Sequence, residues 1–367
     1  MKIAFIGQKG MPAINGGVER YVENLATNLA SLGQVVLVYN RYDYLPDKLQ
    51  EYQGVKIINK FYIKGKNTAA ITQTLAAILD LIKRRVDVIH FQGIGPSLLC
   101  WLPKLFRPHL KIVSTLHSFD YYNEKWSAFA KIMLRLGEHL MIRYSDAVIV
   151  LTDSMQKYVK EKYGRDSILI PNGANLYEKS ARDRLLPFGL EPNGYIISVS
   201  RIIKLKGLQY LIAAFKNIKT NKKLLIVGEG EYKLELEQLA ASDERILFIG
   251  NQGGRTLNQL YANAYLFVQS SEMEGLSSSL LEAMAHKTAC LVSDIPANRE
   301  ALADTGFYFE SKNISDLASE LEYLLIHPEE AKQKAEEAYD RVRTNFTWTE
   351  VAQRILTVYR SLVDQKK

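Results

Sequence analysis

Cysteine is scarce. The 367 residues hold two, Cys100 and Cys290, far apart in the chain, and Cys290 stands in an apolar run, ACLV, that reads as a buried strand. That excludes a disulfide framework; free thiols and a reducing compartment are expected. Long apolar runs are missing too. No segment reaches the ~18 consecutive apolar residues of a membrane span, and the opening MKIAFIGQKGMP has a short apolar stretch without a cleavage pattern. Neither secretion nor membrane insertion is expected, which leaves a cytoplasmic placement, at most against the inner face of the plasma membrane. Histidine numbers six, and no His/Cys/Asp/Glu cluster has metal-ligand spacing, so neither metal nor cofactor is expected. Zinc-finger spacings, RNA-binding signatures and aromatic–basic interleaving are also lacking, which sets nucleic acid aside.

What is present suits a globular chain. Hydrophobic residues make up 47% and charged residues 24%, and at roughly 100–200 residues per domain the length calls for two cores. Charge is uneven: residues 1–185 carry 26 Lys/Arg against 16 Asp/Glu, the remainder 21 against 24. The N-terminal half is therefore expected to meet something anionic, a membrane surface or a phosphorylated substrate.

Strand and helix signals alternate. An apolar run over 3–6 precedes a loop from Gly7 to Gly17, then apolar residues at Val18, Tyr21, Val22, Leu25 and Leu29 with helical spacing. Further strands are expected over 35–39, 86–91, 111–116 and 147–151, with helices over 68–85 and about 126–143. Ile170-Pro171-Asn172-Gly173 breaks the pattern, and Pro187, Pro192, Asn193 and Gly194 punctuate the next twenty or so residues as a linker would. Alternation restarts with strands over 195–199, 223–227, 246–249, 266–268 and 289–292, and helices over 208–216, 232–241, 257–262 and 279–285. The pattern predicts an α/β chain with two Rossmann-like, doubly wound domains, 1–170 and 195–347, joined by 171–194. A C-terminal helix, about 348–367, is expected to pack back on the first. Ligands of such sheets sit beyond the carboxyl ends of the strands, so a site is expected in a cleft between facing domains.

Several residues invite chemistry. Glu274 and Glu282 straddle Gly275-Leu276-Ser277-Ser278-Ser279, a turn feeding a helix, where unpaired backbone N–H groups suit an anion and carboxylates accept from sugar or ribose hydroxyls. The same letters allow a plainer role, since Ser279-Leu280-Leu281-Glu282 spells a capping box in which Glu282 bonds the cap residue's N–H. Arg201 and Lys206 follow an apolar strand; a planar fork and a compact charge suit a diphosphate, although with Lys204 alongside they also fit a solvated basic loop. Gly16 and Gly17 permit close backbone approach to a phosphate or sugar, or simply a turn. His117 ends a strand before Ser118, as a site residue or a structural one, whereas His90 reads as structural. Stretches 97–110 and 125–143 mix apolar with basic residues and fit either an anionic membrane interface or the cover of a sheet. Gly7-Gln8-Lys9-Gly10 does not continue as G-x-G-x-x-G, which disfavours a dinucleotide oxidoreductase.

In their order, these motifs resemble the retaining GT-B glycosyltransferases of family GT4. Ser270 through Ala285 resembles the family's E-x7-E segment, typically EGFGLPLLEAMA, and Ser198-Val199-Ser200-Arg201 with Lys204 and Lys206-Gly207 resembles GR-x4-KG. Val227-Gly228-Glu229-Gly230 is similar to VG-x-G, Gly16-Gly17-Val18-Glu19 to GG-x-E, Asp87-Val88-Ile89-His90 to D-V-x-H, and Ile170 to Gly173 to I-P-N-G. The resemblance spans nearly the whole chain. It implies transfer of a hexose or 6-deoxyhexose from a UDP-, GDP- or dTDP-linked donor to a glycan or lipid-linked acceptor in cell-surface polysaccharide synthesis, without a metal. It implies catalytic roles for Arg201, Lys206, Glu274 and His117, and donor-binding roles for Gly16, Gly17, Gly228, Gly275, Leu276, Ser277 and Glu282. Arg201 and Lys206 would hold the diphosphate, Glu274 the sugar hydroxyls and Glu282 the ribose. Gly10 to Ala13, the Gly16-Gly17 loop, and His117-Ser118 followed by Lys125-Trp126 resemble a bacterial subgroup that includes rhamnosyltransferases of surface polysaccharides. The sequence departs from the pattern at Lys287 and Ala289, where glycine and proline are usual, and at Leu276 and Ser277, next to the transferred sugar. A GT-B-fold nucleotide-sugar epimerase and a non-catalytic nucleotide-sugar-binding subunit are the alternatives. No acid/base pair for the former can be assigned, and the four charged residues together argue against the latter.

Overall fold

The computed structural model describes residues 1–14, 16–65, 68–177, 181–241 and 243–364; the last three positions of the helix expected over 348–367 lie outside them. The chain divides into two compact units, one comprising Met1–Asn172 with the chain from Trp348, the other Gly173–Thr347.

The first unit runs β1 (Lys2–Ile6), α1 (Gly17–Ser31), β2 (Val35–Arg41), β3 (Glu51–Tyr52), β4 (Val55–Lys60), α2 (Ala69–Lys83), β5 (Val88–Gln92), α3 (Leu102–Phe106), β6 (Lys111–Leu116), α4 (Ala128–Tyr144), β7 (Ala147–Val150), α5 (Asp153–Tyr163) and β8 (Ile168–Leu169). Its sheet has the order β3-β4-β2-β1-β5-β6-β7-β8, parallel except for the β3–β4 hairpin. Strands such as KIAFI, VIHFQ and AVIV are apolar nearly throughout because helices cover both faces. The chain winds outward from β1 to β4 and returns at β5, so the winding reverses between β1 and β5.

The C-terminal helix, α13 (Trp348–Asp364), completes this unit. Trp348, Val351, Ile355 and Tyr359 recur at helical spacing and are all buried. The Trp348 ring meets Tyr21 of α1 edge-on at 5.5 Å, and Tyr359 Oη lies 2.6 Å from His90 Nδ1 on β5.

The second unit runs β9 (Tyr195–Val199), α6 (Leu208–Asn217), β10 (Lys223–Val227), α7 (Lys233–Ala240), β11 (Ile246–Phe248), α8 (Gly254–Ala262), β12 (Leu266–Gln269), α9 (Ser278–Ala285), β13 (Ala289–Ser293), α10 (Pro296–Leu302), β14 (Phe307–Phe309), α11 (Ile314–Ile326) and α12 (Pro328–Asn345). Its parallel sheet has the order β11-β10-β9-β12-β13-β14, reversing between β9 and β12. Both units are therefore doubly wound, Rossmann-like α/β layers, the pair of domains that defines GT-B.

Two details differ from the sequence-based expectation. The unit boundary falls after Asn172, inside the segment 171–194 expected as a linker, and the described part of 173–194 belongs to the second unit. Leu185 and Leu190 are buried, and Asp183 Oδ1 accepts from Arg255 and Gln259 of α8, each at 2.9 Å. The turn after α9, where glycine is usual, is made by Lys287 itself in the left-handed region at φ 57°.

Candidate active site

In the second unit, loops from the carboxyl ends of β9, β10 and β12 touch one another so closely that glycine is required. A Cβ on Gly207 would lie 1.9 Å from the Ser270 carbonyl oxygen, one on Gly228 1.9 Å from that of Ser200, and one on Gly230 2.0 Å from that of Ile202. Backbone bonds lock the contact: Glu272 N–H donates to Leu205 O at 2.9 Å and Ile202 N–H to Glu229 O at 2.9 Å.

On this platform Lys206 Nζ pairs with Glu274 Oε1 at 2.5 Å, the side chains 21% and 10% exposed. Ser271 Oγ donates to the same oxygen at 2.7 Å. Arg201, on the same loop as Lys206, is exposed, and no hydrogen bond or ion pair engages its guanidinium among the described residues. Gly275, Leu276 and Ser277 are buried where the β12 loop enters α9.

The capping box does not form. The N-cap of α9 is Ser277, whose Oγ accepts from Leu280 N–H at 3.3 Å, so Glu282 is the fifth helical residue and lies beyond reach of a cap. Its carbonyl accepts from His286 Nδ1 at 2.7 Å, and its half-buried side chain remains on the α9 surface. Burial holds His286 down to about 4, and hence neutral at pH 7.

A buried polar network fixes the β12 loop from below. Ser277 Oγ donates to Gln269 Oε1 at 2.5 Å, Gln269 Nε2 to Asn298 Oδ1 at 2.7 Å, and Asn298 Nδ2 to Ser293 O at 2.9 Å. Ser293 Oγ returns to Ser271 O at 2.6 Å. Gln269, Ser293 and Asn298 support the candidate site from outside the sequence motifs, and Ser271 does so from within one. The usable signal was a polar residue closing the apolar strand LFVQ.

In the first unit the loop after β1 is held by side chains. Lys9 N–H donates to Glu19 Oε1 at 3.0 Å, Met11 N–H to Asn40 Oδ1 at 2.9 Å, and Ala13 N–H to Glu23 Oε2 at 2.8 Å. Gly16 caps α1 with φ 102°, a conformation that favours glycine, and Gly17 opens the helix with nothing within 4 Å of where a Cβ would stand. Both are exposed at the helix N-terminus, which suits an anion or a hydroxyl oxygen.

His117 follows β6. Its Nε2 lies 2.8 Å from Gln92 Oε1 at the end of β5, and the Tyr21 ring meets it edge-on at 4.7 Å. Desolvation holds its pKa down to about 3. With Gln92 accepting, Nε2 carries the proton and Nδ1 keeps a lone pair with no partner among the described residues. His90 is structural: fully buried, it spans Tyr359 Oη and Thr115 Oγ1 at 2.6 and 2.7 Å. Within each unit the loop residues described lie beside the point where its sheet reverses, where open α/β sheets bind ligands.

Both units have counterparts among known proteins. Residues 188–341 match the family described as glycosyl transferases group 1, and residues 15–178 match Glycosyltransferase Family 4. The chain is 27% identical over 300 residues to N-acetyl-alpha-D-glucosaminyl L-malate synthase of Bacillus anthracis, covering 78% of this chain and 77% of that one. Its fold matches sucrose-phosphate synthase from Thermosynechococcus elongatus with a TM-score of 0.85 at 22% identity, over 99% of both chains. It likewise matches Anabaena HepE, solved in complex with UDP and glucose, with a TM-score of 0.83 at 20% identity, over 98% of this chain and 100% of that one. A glycosyltransferase model is matched in each unit, family 4 in the first and group 1 in the second, and together with the fold these matches support a family 4 glycosyltransferase.

Proposed function

We propose that the protein is a retaining hexosyltransferase, taking a sugar from a nucleoside diphosphate to a glycan or lipid-linked acceptor in cell-surface polysaccharide synthesis, in the manner of the rhamnosyltransferase-like subgroup. The observation that carries it is the Lys206–Glu274 pair on three interlocked loops at the carboxyl end of a doubly wound sheet. The UDP and glucose of the HepE complex support a nucleotide-sugar donor.

Arg201 and Lys206 receive the diphosphate as it departs with the electron pair of the glycosidic bond, stabilising charge that grows in the transition state. In this scheme they supply the positive charge that a metal would otherwise bring. Glu274 accepts from the sugar hydroxyls, Glu282 from the ribose, and Gly228, Gly275, Leu276 and Ser277 shape the donor pocket. Neutral His117 offers its Nδ1 lone pair to a sugar or acceptor hydroxyl, and the Gly16-Gly17 helix start offers backbone N–H groups to a phosphate or sugar. The acceptor oxygen attacks the face the diphosphate leaves, and its proton passes to a departing phosphate oxygen, so no protein nucleophile is needed.

A cytoplasmic placement at an anionic membrane belongs to the same proposal. On α4, Phe129 and Ile132 are 70% and 59% exposed, Leu136 follows on that face, and Arg135 and Arg143 are exposed around them. The only carboxylate of the helix, Glu138, is turned inward to Lys162, Tyr158 and Tyr163. An outward face of apolar and basic residues alone suits an anionic interface, and among the described residues no helix is long and apolar enough to cross a membrane.

The test is a panel of UDP-, GDP- and dTDP-sugars screened for slow hydrolysis, with Arg201→Ala and Glu274→Ala as controls. One donor should be hydrolysed by the parent chain and by neither variant; full turnover by Arg201→Ala would refute the diphosphate assignment.

A further inference from the structure

One cation at the carboxyl edge of the first sheet has no ionic partner among the described residues. Arg41 closes β2 beside the loop after β1, its N–H donating to Lys9 O at 2.8 Å. Its guanidinium is positioned by two contacts: Nε donates to Gln73 Oε1 at 3.0 Å, and the carbon lies 5.1 Å from the centre of the Tyr62 ring. The two terminal nitrogens make no hydrogen bond among the described residues, and neither is enclosed. The nearby cations are engaged, Lys64 with Asp43 at 2.7 Å and Lys60 with Asp80 at 2.8 Å. Exposed Lys9 adds a second charge free of ion pairs among the described residues.

Apolar surface surrounds this fork. Phe61 and Ile63 flank Tyr62 on the loop after β4, Ile14 projects from the loop after β1, and all three are more than half exposed. These loops are braced together. Ile14 N–H donates to Tyr44 Oη at 2.8 Å, a Cβ on Gly10 would strike the Tyr44 ring, and Tyr42 N–H donates to Lys60 O at 2.9 Å.

We propose that Arg41, seconded by Lys9, binds a phosphate group on the acceptor, while Ile14, Phe61 and Ile63 cover the apolar chain attached to that phosphate. An arginine whose Nε is anchored and whose terminal pair is open offers the bidentate fork that phosphate oxygens fit. Half-burial lowers the Arg41 pKa, the loss of water outweighing the opposing pull of Tyr62, Glu19 and Asp43, and an arriving anion would offset that loss. Exposed apolar side chains on braced loops beside such a fork match an amphiphile with a charged head. The assignment rests on the transferase reading for the word acceptor; binding itself does not.

The test is calorimetry on the full chain with geranyl phosphate, geraniol and inorganic phosphate, using Arg41→Gln, Arg41→Lys and the exposed-site variant Lys9→Gln, with the nucleoside diphosphates titrated in parallel. Geranyl phosphate should bind the parent, and Arg41→Gln should weaken it about tenfold or more, the scale of a lost charge-assisted pair. Arg41→Lys should recover part of the loss, Lys9→Gln should weaken binding by a smaller factor, and geraniol should bind far less tightly. Undiminished binding by both glutamine variants, or geraniol binding as tightly as geranyl phosphate, would overturn the proposal. Inorganic phosphate binding as tightly as geranyl phosphate would overturn its apolar half. Arg41→Gln should leave nucleoside diphosphate affinity unchanged. Should the parent bind geranyl phosphate but no nucleoside diphosphate, the phosphate site would stand and the donor reading would fall.

Discussion

Replacing Glu274 by Gln probes the pair at the centre of the site. Lys206 and Glu274 stand 2.5 Å apart, nitrogen to oxygen, with side chains 21% and 10% exposed. Two unit charges centred about 3.5 Å apart at an effective dielectric of about 20 attract by about 5 kcal/mol. Desolvation of a mostly buried pair offsets much of that, leaving a coupling of about 1–2 kcal/mol. A double-mutant cycle with Lys206→Met and Glu274→Gln in urea denaturation reads this directly; a coupling below about 0.5 kcal/mol would refute the electrostatic account. Ligand binding gives a sharper outcome. Glu274 neutralises the lysine assigned to the diphosphate, so Glu274→Gln should raise affinity for a bare nucleoside diphosphate about threefold to tenfold, about 0.7–1.4 kcal/mol. Sugar transfer should fall at least about a hundredfold, since the charged acceptor of the sugar hydroxyls is lost. Lys206→Met should weaken both. If Glu274→Gln instead lost nucleoside diphosphate affinity as Lys206→Met does, the carboxylate would be a prop for Lys206 and its sugar-reading role would be wrong.

Gly207→Ala, at φ 64° and facing a carbonyl oxygen at 1.9 Å, should cost about 2–4 kcal/mol in urea denaturation. Gly17→Ala, in open space, should change stability by no more than about 0.5 kcal/mol while lowering transferase turnover. Lys287→Gly relieves a left-handed non-glycine residue, φ 57°, worth about 1 kcal/mol. It gives up an exposed ion pair with Glu336, worth a few tenths, and a cation–π contact with the Tyr339 ring at 4.8 Å, worth about 0.5–1 kcal/mol, so the gains and losses nearly cancel and the melting temperature should stay within about 1 °C of the parent's. His90 is fully buried and held down to about 3, against an ordinary 6.5. The unfolded chain therefore takes up the proton first, and stability should fall as pH drops below about 6.5, by up to about 1.4 kcal/mol per pH unit until about pH 3. His90→Gln should flatten part of that slope in denaturation series across pH.

Most strands were legible because burial on both faces writes them as continuous apolar runs, and β6, β9 and β10 fall where those runs lie. The β3–β4 hairpin was not. Its turn uses Gln53 and Gly54 at φ 47° and 78°, a left-handed pair that carries no Asn-Gly signal, and two-residue β3 is too short to show alternation. The helices α10, α11 and α12 lie beyond the last strand expected from the apolar pattern and carry none of the motifs. Glu282 shows the limit of local spelling: Ser279 and Glu282 have the letters of a capping box, but Ser277, anchored to Gln269, captures the cap two residues earlier. A tertiary hydrogen bond outranked a local pattern.

The same cause explains the missed site residues. The apolar runs end at Phe91 and Val268, one residue short of Gln92 and Gln269, which close β5 and β12. Each of these strands borders the point where its sheet reverses. Gln92 orients His117 in one unit, and Gln269 orients Ser277 at the head of α9 in the other. A buried side-chain amide there supplies a donor and an acceptor together, so it can fix a loop residue's direction and still bond a second neighbour, as Gln269 does with Asn298. A polar residue ending an apolar strand is therefore informative at these two positions. It marks where the sheet stops being only a scaffold and begins to aim side chains, and each unit uses the device within its own sheet.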